Sequence, residues 1–227
     1  MSMVNLGRRF DLHGGGKDLI FPHHECEIAQ SEAVTGEQFV NVWLHNGFVR
    51  IADEKMSKSV GNFFTIRDML SQHSGEVIRY YLLLSHYRSP LNYKSEGLKA
   101  AHGGLERLYT ALRGITPGTP LDGSDWEGRF RAAMDADFKT PQAIAVLFDL
   151  ARELNRVRDA GNDDAPRLAG TLIELGGTLG LLQDDPADFL QRTAKSVALD
   201  GAAIEVLIAE RLAVRNAKDF DRADAIR

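Results

Sequence analysis

The sequence predicts an α/β unit followed by an all-helical part, with helix dominating the chain overall. Residues 1 to about 64 mix short apolar runs with Gly-rich turns, as α/β chains do. From Thr65 onward the apolar residues recur at the spacing of amphipathic helices. A stretch rich in Pro, Gly and Asp, from Thr116 to Asp125, interrupts the helical part and is predicted to be a linker.

Two regions of the α/β unit have the character of strands. Residues 10–13 (Phe-Asp-Leu-His) are predicted to form a short buried strand that runs into the three glycines at 14–16. Residues 39–51 are rich in β-forming side chains and carry a glycine in the middle. This pattern predicts two short strands around a turn.

Capping residues set the limits of the first predicted helices. One helix should begin at Pro22, because the missing N–H of proline would be unpaired in a first helical turn anyway. It should run to about Val34 and stop near Gly36. Thr65 is expected to cap a short helix that extends through Leu70.

The later helices are predicted from apolar stripes. Ser74 should cap a helix running to about His86, with one stripe formed by Val77, Ile78, Tyr81 and Leu84. The next helix should span residues 95–113 and end at Gly114. Pro141 should open a long helix with Ile144, Leu147, Leu150 and Leu154 on its core side. Further helices are expected near residues 165–183 and 201–214.

The composition is that of an ordinary soluble protein. The chain has 44% hydrophobic and 26% charged residues, a net charge of −5, and no apolar run of the length that a membrane span needs. Cys26 is its single cysteine, so an internal disulfide is excluded and a reducing cytoplasm is predicted. The net charge argues weakly against nonspecific nucleic-acid binding, but it does not exclude a local basic track.

The most informative string is a basic loop with the sequence Lys-Met-Ser-Lys-Ser. It follows a predicted strand and precedes a predicted helix, and in open α/β sheets ligands bind at the carboxyl ends of the strands. Two ammonium groups on such a loop can stabilise the charge that develops on a leaving pyrophosphate. Its residues are Lys55, Met56, Ser57, Lys58 and Ser59.

Polar residues around the glycines suggest a second set of site residues. His23 and Glu27 are four apart on the predicted helix, so they face the same way and can ligate zinc, although many surface helices carry such pairs. His13 and Asp18 flank the glycines. A strand-end histidine and a turn aspartate are the structural alternative for these two residues.

The sequence around these residues resembles the cysteinyl enzymes of the class I aminoacyl-tRNA synthetases. The resemblance rests on residues 10–30, on the Trp-Leu-His-Asn-Gly run at 43–47, and on the lysine loop, which is the second signature of that class. It continues through residues 61–64, 75–80 and 86–93, returns at 140–143, and becomes looser up to residues 218–220. Roughly the first 115 residues match tightly.

The resemblance implies a fold and a division into domains. Residues 1–64 would be the C-terminal part of a Rossmann-like catalytic domain with a zinc half-site, and residues 65–115 a helical stem-contact region. The linker at 116–125 would lead to a helical bundle at 126–227, which precedes the anticodon-binding region. The chain is therefore expected to be a fragment that lacks the N-terminal half of the catalytic domain and the extreme C-terminus.

The resemblance also implies an activity and its participants. ATP, with Mg²⁺, and L-cysteine would give cysteinyl-adenylate, and the cysteine would then pass to tRNA(Cys). His13, Gly14, Gly15 and Asp18 would contact ATP, with Asp18 accepting a hydrogen bond from a ribose hydroxyl. Lys55 and Lys58 would stabilise the phosphate charge, Lys58 more directly. The protein is expected to be a cytoplasmic monomer that does not bind membranes.

A zinc ion that binds the substrate thiolate is the cofactor that the resemblance implies. Serine differs from cysteine by one atom, so an apolar pocket alone discriminates poorly, whereas zinc favours the soft thiolate. His23 and Glu27 would supply two of the four ligands. The family's two cysteine ligands precede the residues of this chain, and Cys26 does not occupy a ligand position.

Two alternative functions are compatible with these sequence features. The enzyme that joins cysteine to a glucosaminyl-inositol in mycothiol synthesis shares the lysine loop and the Pro-His-His-Glu turn, but His13 and residues 25–30 favour the tRNA enzyme. A non-catalytic helical tRNA-binding module is the other alternative for this polypeptide. The His-x-Gly-His signature that grips ATP in class I enzymes is absent from the 227 residues, so the chain alone is expected not to activate cysteine.

Overall fold

The structure is a computed structural model that describes residues 2–51, 54–55, 65–194, 201–216, 219, 222 and 224. The chain forms two compact units, residues 1–183 and residues 184–227. In the described residues, no helix is both long enough and apolar enough to span a bilayer.

The first unit combines short strands with helices. In chain order its elements are α1 (Ser2–Leu6), β1 (Phe10–Gly16), α2 (Glu25–Thr35), β2 (Val40–Asn46), β3 (Val49–Ile51), β4 (Glu54–Lys55), α3 (Ile66–Gln72), α4 (Gly75–Leu83), β5 (Leu91–Tyr93), α5 (Ser95–Leu112), α6 (Asp125–Asp135), α7 (Thr140–Asp159) and α8 (Ala165–Thr178). The second unit contains α9 (Pro186–Ala194) and α10 (Gly201–Asn216). The predicted class, an α/β part followed by helices, is confirmed.

Two small sheets form the β structure of the described residues. β1 and β2 pair in parallel, with His13 opposite Trp43 and Gly15 opposite His45. β3 pairs antiparallel with β4 and parallel with β5. The two strands predicted over residues 39–51 are therefore confirmed, but they belong to different sheets.

The first strand differs from its prediction in length and burial. β1 continues through the three glycines, and the side chain of Leu12 is 54% exposed. Successive side chains of a strand point to opposite faces, so Leu12 lies on the face away from His13. The predicted burial of residues 10–13 was wrong because only one face of this strand is covered in the described residues.

The connection between β1 and α2 contains one break in its helical backbone. Residues Lys17–Leu19 form a 3-10 turn and residues Ile20–His24 a wider turn, within which Phe21 is extended at φ −135° and ψ 135°. A residue before proline is sterically pushed out of the helical region, so the helical backbone resumes at Pro22, as predicted, and the regular α-helical hydrogen bonding of α2 begins at Glu25. Its predicted end is confirmed, since Gly36 adopts a left-handed φ of 69°.

Side-chain caps fix the starts of α3 and α4 as predicted. Thr65 and Asp68 form a reciprocal capping box, and the Ser74 hydroxyl accepts from the Val77 N–H. α4 ends at Leu83, short of the predicted His86, and Leu84 is 41% exposed. The buried face of α4 is formed by Val77, Tyr80 and Tyr81.

The helical core lies between α5, α7 and α8. The stripe predicted on α7 is confirmed, because Leu147, Leu150 and Leu154 are fully buried and Ile144 is nearly so. α5 ends at Leu112, close to the predicted stop at Gly114, which adopts a left-handed φ of 76°. The sequence did not predict α6 or α9, and α8 ends at Thr178, earlier than expected.

The predicted linker is a packed connection. The Gly118 N–H donates to the Pro166 carbonyl oxygen at 2.7 Å, and the Leu121 N–H donates to Thr171 Oγ1 at 2.9 Å. Both acceptors belong to α8, so this stretch lies against that helix. The domain limits given above stay predictions.

An aspartate in the α6–α7 turn holds the segment that follows α4. The Arg88 guanidinium donates to both carboxylate oxygens of Asp137, at 2.7 and 3.2 Å, and the Tyr87 hydroxyl donates at 2.7 Å. A nitrogen of the His86 ring lies 2.8 Å from the Asp137 carbonyl oxygen. Arg88 is thus engaged in an intramolecular ion pair.

These contacts make the stability of the chain depend on pH below neutrality. The hydrogen bonds from Arg88 and Tyr87 lower the pKa of Asp137 from 3.8 to about 2. The carboxylate therefore stabilises the fold fully above about pH 5, and this contribution is lost as the pH falls through 3.8 towards 2. We expect Asp137→Asn to lower the urea midpoint at pH 7, with the difference from wild type vanishing near pH 2. Asp135→Asn, at the last residue of α6, is the control. A pH-independent difference for Asp137→Asn would contradict the prediction.

Candidate active site

The glycines of β1 allow two side chains to lie directly against the strand. A Cβ added at Gly15 would lie 2.8 Å from Cε1 of His24 and 3.0 Å from a methyl group of Leu19. A Cβ added at Gly16 would lie 2.5 Å from a carboxylate oxygen of Asp18. The three glycines therefore form the end of β1. The His24 ring lies against Gly15, and the Asp18 carboxylate lies against Gly16.

Four aromatic rings pack together on this face of the sheet. The ring of His13 lies 4.8 Å from that of Trp43 and 4.9 Å from that of His24, measured between centroids. The His24 ring lies 4.9 Å from Trp43 and 5.0 Å from His45. Trp43 is half-buried, and its ring contacts the rings of both His13 and His24.

His24 is the buried member of the cluster. It is 3% exposed, and its Nδ1 lies 2.8 Å from Nε2 of His45, so one of the two nitrogens donates a proton to the other. Burial lowers the pKa of His24, and the neighbouring imidazoles of His13 and His45 lower it further. A neutral imidazole with one engaged nitrogen has its second nitrogen available as a ligand.

Glu27 joins the predicted metal residues to this cluster. Its Oε1 lies 3.8 Å from Nε2 of His23, so the sequence-predicted pair lies together on one helical face. Its Oε2 lies 3.4 Å from Nε2 of His13, yet this buried oxygen accepts no hydrogen bond. A buried carboxylate oxygen without a partner fits a metal ligand, and imidazole with carboxylate is a donor set that suits zinc. His23 and Glu27 thus fit the predicted role.

The basic loop is only partly within the described residues. Lys55 ends β4, where its backbone pairs with Arg50. Met56, Ser57, Lys58 and Ser59 lie outside the described residues. The loop's role stays a prediction from sequence.

Sequence reasoning missed the contributions of His24 and His45. His13 and Gly15 alternate on one strand as Trp43 and His45 do on the next, and the register places these two pairs side by side. Period-two alternation of histidine, tryptophan and glycine on two parallel strands would have indicated a shared polar face. The burial of His24 depends on the wide turn before α2, for which the sequence carries no simple signal.

The comparisons with known proteins agree with this architecture. Residues 1–103 match the family model of the tRNA synthetases class I (C) catalytic domain, and residues 129–183 match the DALR domain model. The fold is similar to methionyl-tRNA synthetase of Mycobacterium tuberculosis bound by methionyl-adenylate (TM-score 0.55, 20% identity, 79% of this chain and 43% of that one). It is also similar to LeuRS of Agrobacterium radiobacter K84 in a ternary complex with tRNA and LeuAMS (TM-score 0.53, 20% identity, 78% and 28%). Residues 1–103 are thus similar to the catalytic domain of class I aminoacyl-tRNA synthetases.

Relatives with higher sequence identity indicate one amino-acid specificity within this class. The chain is 62% identical over 228 residues to the cysteine–tRNA ligase of Thioalkalivibrio sulfidiphilus and 57% identical over 231 residues to that of Alkalilimnicola ehrlichii. Each alignment covers 100% of this chain and 49% or 50% of the relative, so the chain spans about half the length of the curated relatives it matches. Along its whole length the chain is therefore similar to cysteine–tRNA ligases. The mycothiol alternative is not favoured.

Proposed function

We propose that this chain contributes part of the active site and the tRNA-binding helices of an ATP-dependent cysteine–tRNA ligase. The observation that carries the proposal is the identity to cysteine–tRNA ligases along all of the chain. The packing of His13, His24 and Glu27 around the glycine strand supports it. The DALR match over residues 129–183 supports tRNA as a partner.

The reaction has two transfers. A carboxylate oxygen of cysteine attacks the α-phosphorus of ATP and pyrophosphate leaves, which gives cysteinyl-adenylate. A hydroxyl of the terminal tRNA adenosine then attacks the carbonyl carbon, and AMP leaves. Lys55 and Lys58 act in the first transfer, where their ammonium groups, together with Mg²⁺, stabilise the charge on the leaving pyrophosphate.

The remaining site residues position the substrates. His13, Gly14 and Gly15 form the strand end against which the adenosine lies, and Asp18 accepts from a ribose hydroxyl. His23 and Glu27 would hold zinc, which would supply a soft Lewis acid that prefers a thiolate to a hydroxyl. We propose that the protein acts as a cytoplasmic monomer.

A chimera tests the ligase proposal directly. These 227 residues would replace the matched region of the Thioalkalivibrio sulfidiphilus enzyme, and cysteine-dependent exchange between pyrophosphate and ATP would be measured. We expect the chimera to retain the exchange. Lys58→Ala should lower its rate by about 100-fold or more, because an electrostatic contact to the transition state is lost. The isolated 227-residue chain should show no exchange.

Lys99→Ala is the matched control, since this exposed lysine of α5 should not affect a tRNA-independent exchange. A correctly folded chimera with no cysteine-dependent exchange would contradict the ligase proposal. If that chimera still bound tRNA(Cys), the result would favour the non-catalytic tRNA-binding module. Ligation of cysteine to a glucosaminyl-inositol would favour the mycothiol enzyme.

A further inference from the structure

The turn between α6 and α7 has a conformation that depends on support from outside it. Asp137 and Phe138 are consecutive non-glycine residues with left-handed φ values of 64° and 51°. A bulky residue in that region is strained, and the conformation persists only where the surrounding structure holds it. Arg88 and Tyr87 bond to the Asp137 carboxylate, and the Tyr87 ring meets the Phe138 ring edge-on at 6.4 Å between centroids. The segment between α4 and β5 therefore holds this turn.

The same segment also holds the end of β2. Gly47, the first residue after that strand, donates its N–H to the Tyr87 carbonyl oxygen at 2.7 Å. Two residues earlier, His45 contacts His24 of the candidate site at 2.8 Å. Tyr87 thus bonds to the α6–α7 turn through its side chain and to the end of an active-site strand through its backbone.

A cleft beside the turn leaves room for a second arrangement of it. The cleft has a volume of about 480 Å³ and lies between the end of β2, the end of α4 and the turn. Its lining is mainly apolar and includes Leu44, Leu83 and Phe138. Phe138 is 50% exposed, so moving its ring into the cleft would bury apolar surface. Coupling between two sites needs an element with two arrangements, and this turn meets that requirement.

We propose that Asp137 is a positioning residue that couples tRNA binding on α6–α8 to the active-site end of β2, through Tyr87 and Gly47. The inference rests on the proposed function, in which tRNA binds the helices that match the DALR domain at residues 129–183. When tRNA holds α6 and α7, the turn between them is held too, and Asp137 then keeps Tyr87 and the end of β2 in one arrangement. Cysteinyl-adenylate would enter a site that is already ordered and would lose less conformational entropy on binding. The coupling is therefore positive.

Binding measurements on the chimera described above test this coupling. The probes are tRNA(Cys) and a non-hydrolysable sulfamoyl analogue of cysteinyl-adenylate, and the dissociation constant of each is measured with and without the other. We expect tRNA to tighten analogue binding by about fivefold or more, and the analogue to tighten tRNA binding by the same factor, because coupling free energies are reciprocal. Asp137→Ala should bring this factor close to one.

The coupling factor separates positioning from general stability. A loss of folded protein weakens a ligand equally with and without its partner, so it leaves the factor unchanged. Tyr87→Phe removes only the hydroxyl and should lower the factor at least about twofold, with no further effect when Asp137 is already alanine. Asp137→Asn keeps an acceptor oxygen and tolerates a left-handed φ, so it should retain part of the coupling. Asp135→Ala, exposed at the end of α6, is the matched control and should leave the factor unchanged.

The outcomes distinguish this inference from the ligase proposal. A wild-type factor near one, or a factor that Asp137→Ala leaves unchanged, overturns the coupling, and the ligase proposal stands if both probes still bind. A folded chimera that does not bind the analogue overturns both. If Asp137→Ala does not fold, Tyr87→Phe decides, since a factor equal to that of wild type would show that Tyr87 does not carry the coupling.

Discussion

Gly47→Ala is expected to lower the free energy of unfolding by about 3 kcal/mol, at the upper end of the usual overpacking range. A Cβ at this position would lie 2.2 Å from the Ser89 carbonyl oxygen, 2.4 Å from the Ser89 carbonyl carbon and 2.8 Å from the Pro90 nitrogen. All three are backbone atoms, and proline fixes its own φ. The Gly47 N–H also donates to the Tyr87 carbonyl oxygen at 2.7 Å, so the two segments cannot separate without losing a hydrogen bond.

Chemical unfolding of the variant beside Gly103→Ala measures this effect. Nothing lies within 4 Å of a Cβ at Gly103, which sits inside α5. Alanine there should stabilise the helix by about 0.5–1 kcal/mol, because glycine is the poorer helix former. A lower free energy of unfolding for Gly47→Ala together with a higher one for Gly103→Ala would support the close approach at Gly47. A cost below about 1 kcal/mol at Gly47 would mean that the segment carrying Ser89 does not lie against it.

The features that the sequence predicted well are those with a local cause. Thr65 and Ser74 cap helices through bonds to residues three positions on, and Gly36 ends a helix through its own φ. The apolar stripe of α7 follows from the 3.6-residue period. Each of these signals lies within a few residues of the structure that it determines.

The features that escaped prediction depend on distant partners. Strands β2 and β3 are adjacent in sequence but lie in different sheets, because β3 pairs with the distant β5. Asp137 holds the left-handed turn before α7 through contacts with Arg88, 49 residues away in sequence. No periodicity within either segment encodes such a pairing.

The candidate site also combines contacts that local sequence spacing predicts with contacts between distant residues. The four-residue spacing of His23 and Glu27 predicted their proximity, and the structure places them on one face. The contact of His24 with His45 spans 21 residues and arises only when β1 and β2 pair. The lysine loop was identified from its sequence alone, and its contribution to the site stays a prediction.

Glu76→Ala is expected to lower the free energy of unfolding by about 3 kcal/mol, because two buried donors lose the acceptor that they share. The carboxylate accepts from the Tyr109 hydroxyl at 2.8 and 3.0 Å and also from the Leu182 N–H. Tyr109 is fully buried in α5, and Leu182 is 4% exposed with a left-handed φ of 59°. A non-glycine residue in that conformation needs support from its surroundings. Glu76 thus connects α4, α5 and the segment after α8.

A double-mutant cycle between Glu76→Ala and Tyr109→Phe isolates the energy of one of these bonds. Tyr109→Phe removes only the hydroxyl, so it should cost about 1–2 kcal/mol in the wild type and much less when Glu76 is already alanine. Glu76→Gln is the matched variant, since it keeps an acceptor oxygen while removing the charge, and should fall between wild type and alanine. Strictly additive costs would mean that the two side chains do not interact. A coupling of 1 kcal/mol or more would establish that the carboxylate fastens α4 to α5 through this hydroxyl.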